Sequence, residues 1–119
     1  MLTVVSAMRE LSMMMKAQLS EYREADLISG FIAAVCRALN VEKSALRSPG
    51  RTTALVEARY IIMYVLVKQH QLSLKNVGEI LNRDHSSIVA GIEKYQSLVD
   101  AKDKAFLYKI NSVIEELED

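Results

Sequence analysis

Within five positions, Arg83-Asp84-His85-Ser86-Ser87 gathers a guanidinium, a carboxylate, an imidazole and two hydroxyls. One chemistry for such a set is general-base catalysis by His85 beside Asp84. Side chains adjacent at a helix start rarely orient one another, however, and no nucleophile or second cluster accompanies them. His70 has no second ligand three or four residues away, so no metal site is read. The chain is therefore expected to be no enzyme, to hold no metal and to need no cofactor. The other chemistry is recognition. Asp84 can cap a helix by accepting from backbone N–H groups two or three residues on. His85, Ser86 and Ser87 then project at the helix tip, where their donors and acceptors match base edges. Arg83, just before them, can meet a phosphate, and so can the helix N-terminus itself.

The elements needed to aim this tip are legible in the surrounding pattern. Leu74, Val77 and Leu81 give a short helix that starts near Ser73, a suitable N-cap. Asn82 and Arg83 interrupt it. A new helix runs from Asp84, with Ile88, Ile92, Tyr95 and Val99 as its inward stripe. Two helices joined by a short turn, the second with small polar residues first, describe a helix-turn-helix. Such a tip can enter a DNA major groove about 12 Å wide. By spacing alone, a plain helical hairpin remains the alternative.

Upstream, the segment 52–70 contains the apolar run Tyr60 to Val67 and no breaker, so its length predicts one long central helix buried on most sides. Ser48-Pro49-Gly50 holds the only proline and marks a loop entering that helix. A helix is predicted from Ala25 to Leu39, with Leu27, Ile28, Phe31, Ile32, Val35 and Leu39 on one side and Asn40 as its stop. A last helix carries Phe106, Ile110, Val113 and Leu117. Val4, Met8, Leu11, Met15, Leu19 and Tyr22 form a stripe of an amphipathic N-terminal helix, suited to a core or to a homodimer contact. The expected architecture is all-α: a compact domain of about six helices containing a helix-turn-helix, with an extra N-terminal amphipathic helix. The predicted division is a helix at 1–22 and a helix-turn-helix domain at 23–119.

Here the residues resemble a known family. Ser73-Leu74, Gly78 and Arg83-Asp84-His85-Ser86-Ser87-Ile88 are similar to the signature of the C-terminal DNA-binding domain of DnaA, the bacterial replication initiator. Val41, Leu46, the basic loop Arg47 to Arg51, and Ala58-Arg59 through Met63 fall in register, so the resemblance covers residues 25–98. It implies base contacts in the major groove for Asp84, His85 and Ser86, and backbone or base-edge contacts for Ser87. It implies a minor-groove contact for Arg51 and a phosphate contact for Arg59. The implied function is sequence-specific binding of double-stranded DNA, in replication or a related regulatory role. Serines stand where the family has threonines, and Asn82 where it usually has glycine. The loop is also thinner in basic residues, so fewer phosphate contacts are expected.

The 15 Lys and Arg balance 15 Asp and Glu, which by itself argues against a nucleic-acid binder. The distribution argues otherwise. Residues 37–94 carry nine basic against five acidic side chains, while residues 1–36 and 95–119 are net acidic. A local positive face is therefore possible. Glycines at 30, 50, 78 and 91 leave no Gly-x-x-x-x-Gly-Lys phosphate loop, so no nucleotide binding or ATPase is expected. The single cysteine, Cys36, is read as a buried small side chain. No run is long enough to span a bilayer and no signal peptide is read, so the expected location is cytoplasmic. A competing class is a helical protein–protein interaction module that has lost DNA binding, using the Met-rich first helix and the acidic last one.

Overall fold

The computed structural model describes residues 24–118, and the N-terminal helix read at 1–22 lies outside the described residues. Within them the chain forms five α-helices and no strand: α1 Glu24–Leu39, α2 Thr53–Tyr64, α3 Leu74–Leu81, α4 His85–Asp100 and α5 Lys104–Glu118. A 3-10 turn, Ser44–Arg47, lies between α1 and α2, and α2 continues into a π-helical turn, Val65–Gln69. The all-α expectation holds. The long helix read at 52–70 is present but widens in its last turn, where the His70 N–H reaches back to the Val65 carbonyl at 2.9 Å.

Side-chain oxygens start four of the helices. Thr52 Oγ1 accepts from the Leu55 N–H, Ser73 Oγ from Asn76, Asp84 Oδ1 from Ser87 and Asp103 Oδ1 from Phe106. Each oxygen satisfies an amide that has no partner inside its helix. The helix ends share a different device. Asn40, Asn82 and Lys102 lie at φ of 55–56°, in the left-handed region, and no glycine does. The N–H after each bonds five residues back: Val41 to Cys36 O, Arg83 to Gly78 O and Asp103 to Leu98 O. These bonds close the helices in the Schellman manner. Asparagine adopts this conformation more readily than other chiral residues, which explains Asn40 as a stop.

The most extensive packing joins α1 with α5 and α2 with α4. From α1, Leu27, Phe31, Val35 and Leu39 turn inward at helical spacing. Cys36 is buried with them. In α2, Ile61 and Ile62 are fully buried, as are Val65 and Leu66 beyond it. A central helix enclosed on most sides needs apolar residues around most of its circumference, which is why its pattern reads as a run. Tyr95 stacks on Tyr64 at 4.1 Å between centroids and meets Phe106 edge-on at 5.4 Å. These rings bind α2, α4 and α5 into one core, and Lys109 of α5 also pairs with Glu57 of α2. The recognition-like helix α4 is thus anchored along its inner side by Ile88, Tyr95 and Val99, leaving His85 and Ser86 at its start exposed.

Candidate nucleic-acid interface

The α3–α4 corner is built from the sequence Gly78 to Ser87. Asn82 turns the chain, and the Arg83 carbonyl passes so close to α3 that a Cβ on Gly78 would lie 2.5 Å from it. A side chain at position 78 would push the turn outward, so glycine is required there for a close approach rather than for an unusual φ. At the head of α4, Asp84 Oδ1 accepts both the Ser87 N–H at 2.8 Å and the Ser86 hydroxyl at 3.0 Å. The Ser87 amide first, then the serine hydroxyls, hold the Asp84 carboxyl below its usual pKa. Asp84 is therefore an ionised cap at neutral pH. His85 and Ser86 are exposed, and Ser87 is half-buried. Ile88 behind them is fully buried, which fixes the direction in which the tip projects.

The loop of residues 48–52 lies against this corner. Arg51 is exposed at its end. The loop's shape is set by Arg59, whose guanidinium enters from α2 and donates to four carbonyls: Nε to Leu46 at 3.0 Å, Nη1 to Gly50 at 2.7 Å, and Nη2 to Ala45 and Ser48 at 3.0 and 2.7 Å. Arg59 is only 5% exposed. Burial, then the charges of Arg83 and Arg51, push its pKa down from the ordinary arginine value. The resemblance implies a phosphate contact for this residue. Four of the five N–H donors of this side chain are already accepted, leaving its charge and one N–H.

Arg83 and Arg47 are also turned toward carbonyls. Arg83 Nη2 donates to Ser48 O at 2.6 Å, and its Nη1 to Leu81 O and Asn82 O at 3.1 Å. Arg47 Nη1 donates to Glu79 O and Ile80 O at the C-terminal end of α3, where carbonyls lack helical partners and a cation is favoured. The Asn82 amide returns a bond to Arg47 O at 3.3 Å. The residues lead to an expected phosphate contact for Arg83, and the resemblance puts Arg47 in a basic loop. Both lie at the joint between loop and corner, Arg83 reaching its carbonyls through two nitrogens of its planar fork and Arg47 through one.

Between loop and corner runs an open groove of about 630 Å³. Arg47, Arg51, Arg59, Arg83 and Lys94 line it, with Tyr60 and Ser87, and no aspartate or glutamate does. Ala90 and Gly91 also line it. Lys94 and Tyr60 were not singled out from the sequence. The signal existed for Lys94: Ser87, Gly91 and Lys94 are spaced at i, i+4 and i+7, a second stripe of α4 beside its inward one. Among the described residues, no His/Cys/Asp/Glu group could hold a metal ion, and no helix is long and apolar enough to cross a membrane.

Comparison with known proteins places the sequence of this region in a family. Residues 28–94, more than half of the chain, match the model of the bacterial DnaA protein helix-turn-helix. Among curated relatives, the chromosomal replication initiator protein DnaA of Ureaplasma parvum is 32% identical over 84 residues, 70% of this chain and 18% of that protein. The one from Aliarcobacter butzleri is 30% identical over 94 residues, 78% of this chain and 21% of that protein. The one from Mycoplasma pneumoniae is 29% identical over 69 residues, 58% of this chain and 16% of that protein. The chain thus spans about a fifth or less of the length of these relatives.

Proposed function

The chain belongs to the bacterial DnaA helix-turn-helix family, and from that membership we propose that it binds double-stranded DNA at a short specific site through two grooves at once. The head of α4 enters the major groove. His85 and Ser86 meet base edges there, Asp84 offers its second carboxylate oxygen to an amino donor, and Ser87 meets the backbone or a base. Arg51 reaches from the loop into the adjacent minor groove, where a narrow A·T-containing segment favours an arginine. The sugar-phosphate strand between the two grooves lies along the basic groove, against Lys94 and Tyr60. Its DNA reading serves replication or a related regulatory role.

One observation carries this reading. Five cationic side chains and no carboxylate line the strip between the two proposed reading elements, in a chain of zero formal net charge. Phosphate neutralisation supplies affinity, and the tip supplies discrimination.

Selection of bound sequences from a random duplex pool, followed by mobility shift, tests the proposal. A single preferred site is expected. His85→Ala should weaken it by about 1–3 kcal/mol and relax preference at the major-groove positions only. Arg51→Ala should relax a separate set of positions. No binding at low salt would contradict the DNA reading and favour a protein-interaction module.

A further inference from the structure

The joint between loop and corner is built around one acceptor. The Ser48 carbonyl receives Arg59 Nη2 from α2 at 2.7 Å and Arg83 Nη2 from the α3–α4 turn at 2.6 Å. Three residues further along the chain is Arg51, and immediately after Arg83 is the Asp84 cap. Arg59 therefore shapes the loop and ties it to the core, whereas Arg83 ties the same point to the turn that aims α4. The other hand of Arg83 holds the turn itself through Leu81 O and Asn82 O. We infer that Arg83 is a positioning residue that fixes the spacing between the minor-groove arm and the recognition tip, so the two grooves are read as one unit. This rests on the DNA-binding reading of both elements.

The chemistry distinguishes this role from a phosphate contact. A lysine at position 83 keeps the charge that a phosphate needs, but it is a point donor on a flexible stem and cannot span the Ser48 carbonyl and the turn carbonyls together. The arginine's planar fork can. A phosphate ligand therefore tolerates Arg83→Lys, and a clamp does not. A clamp also acts only through what it positions, so its effect depends on Arg51 being present. Coupling between linked elements of this kind is typically about 5-fold or more.

The test is a mutant cycle on the duplex obtained by selection. Arg83→Lys should lower affinity about 5-fold or more in the wild-type chain, and by less than about 2-fold in an Arg51→Ala background, within the usual tolerance of additivity. Combined with His85→Ala, which removes one contact of the tip that the clamp aligns, its effect should also fall below that in the wild-type chain. Full affinity in Arg83→Lys, or an equal loss with and without Arg51, would overturn the inference. A second measurement needs no DNA. Hydrogen exchange at the Ser48 and Gly50 amides should accelerate in Arg83→Lys while the Tyr95 and Val99 amides of α4 keep their protection. Unchanged exchange in the loop would refute the clamp whatever the DNA arm shows. If the wild-type chain binds no duplex, the DNA reading fails and the exchange result alone decides the clamp.

Discussion

Three arginines at this site end on carbonyl oxygens, and a fourth does not. Arg59 is the extreme case, with four accepted donors and almost no exposure. Its removal would leave loop carbonyls without their partners, and hydrogen bonds to a charged group contribute about 1.5–3 kcal/mol each. Arg59→Met should therefore lower unfolding stability by at least about 2 kcal/mol. Arg51 is exposed, so Arg51→Ala should change stability by no more than about 0.5 kcal/mol while weakening DNA binding. Urea unfolding beside a binding titration separates the two; equal stability losses would contradict the division of labour. These roles explain what could be read in advance. The capping function of Asp84 and the exposure of His85 and Ser86 depend on neighbours within three residues, so they were legible. The partners of Arg83 and Arg59 in the loop lie 35 and 9 to 14 residues away, and spacing along the chain carries no trace of such a meeting. The family resemblance placed these arginines at the site but could not say that they face carbonyls.

Among the elements, every helix read over the described residues is present, because each start or stop is written locally. Ser73, Thr52 and Asp84 supply cap oxygens, and Asn40 and Asn82 accept left-handed backbone. The π-helical turn at Val65–Gln69 was not legible. An apolar run around a buried helix looks the same whether its last turn is α or π, and the widening is decided by packing. The end of α4 was also silent, since Lys102 is no usual helix terminator yet lies at φ 55°. A chiral residue in that conformation costs roughly 1–2 kcal/mol, and glycine does not pay it. Lys102→Gly is expected to stabilise the protein by about 0.5–1 kcal/mol after the greater freedom of glycine in the unfolded chain is deducted. Thermal unfolding checks this. A lower Tm would mean that the Lys102 side chain contributes contacts outweighing the relief. Asn82→Gly should gain less, because it also loses the bond to Arg47.

At the scale of the whole molecule, a zero net charge conceals a sorted one. The basic residues that matter converge from the 3-10 turn, the loop, α2, the corner and α4 onto a single groove, and the acidic excess sits in the terminal segments. The sum of charges was therefore a poor guide, and the split along the sequence a better one. The groove itself could not be foreseen, since it is a product of how α2 packs on α4 and how the loop is tied to the turn. The central claim is that this groove and the tip beside it form one DNA-binding face. Titration of isotope-labelled protein with the selected duplex, followed by amide chemical-shift mapping, tests it most directly. Perturbations should concentrate at residues 47–60 and 82–94, from both sides of the groove at the same stoichiometry. Shifts confined to the outer faces of α1 and α5, or to the tip without the loop, would contradict it.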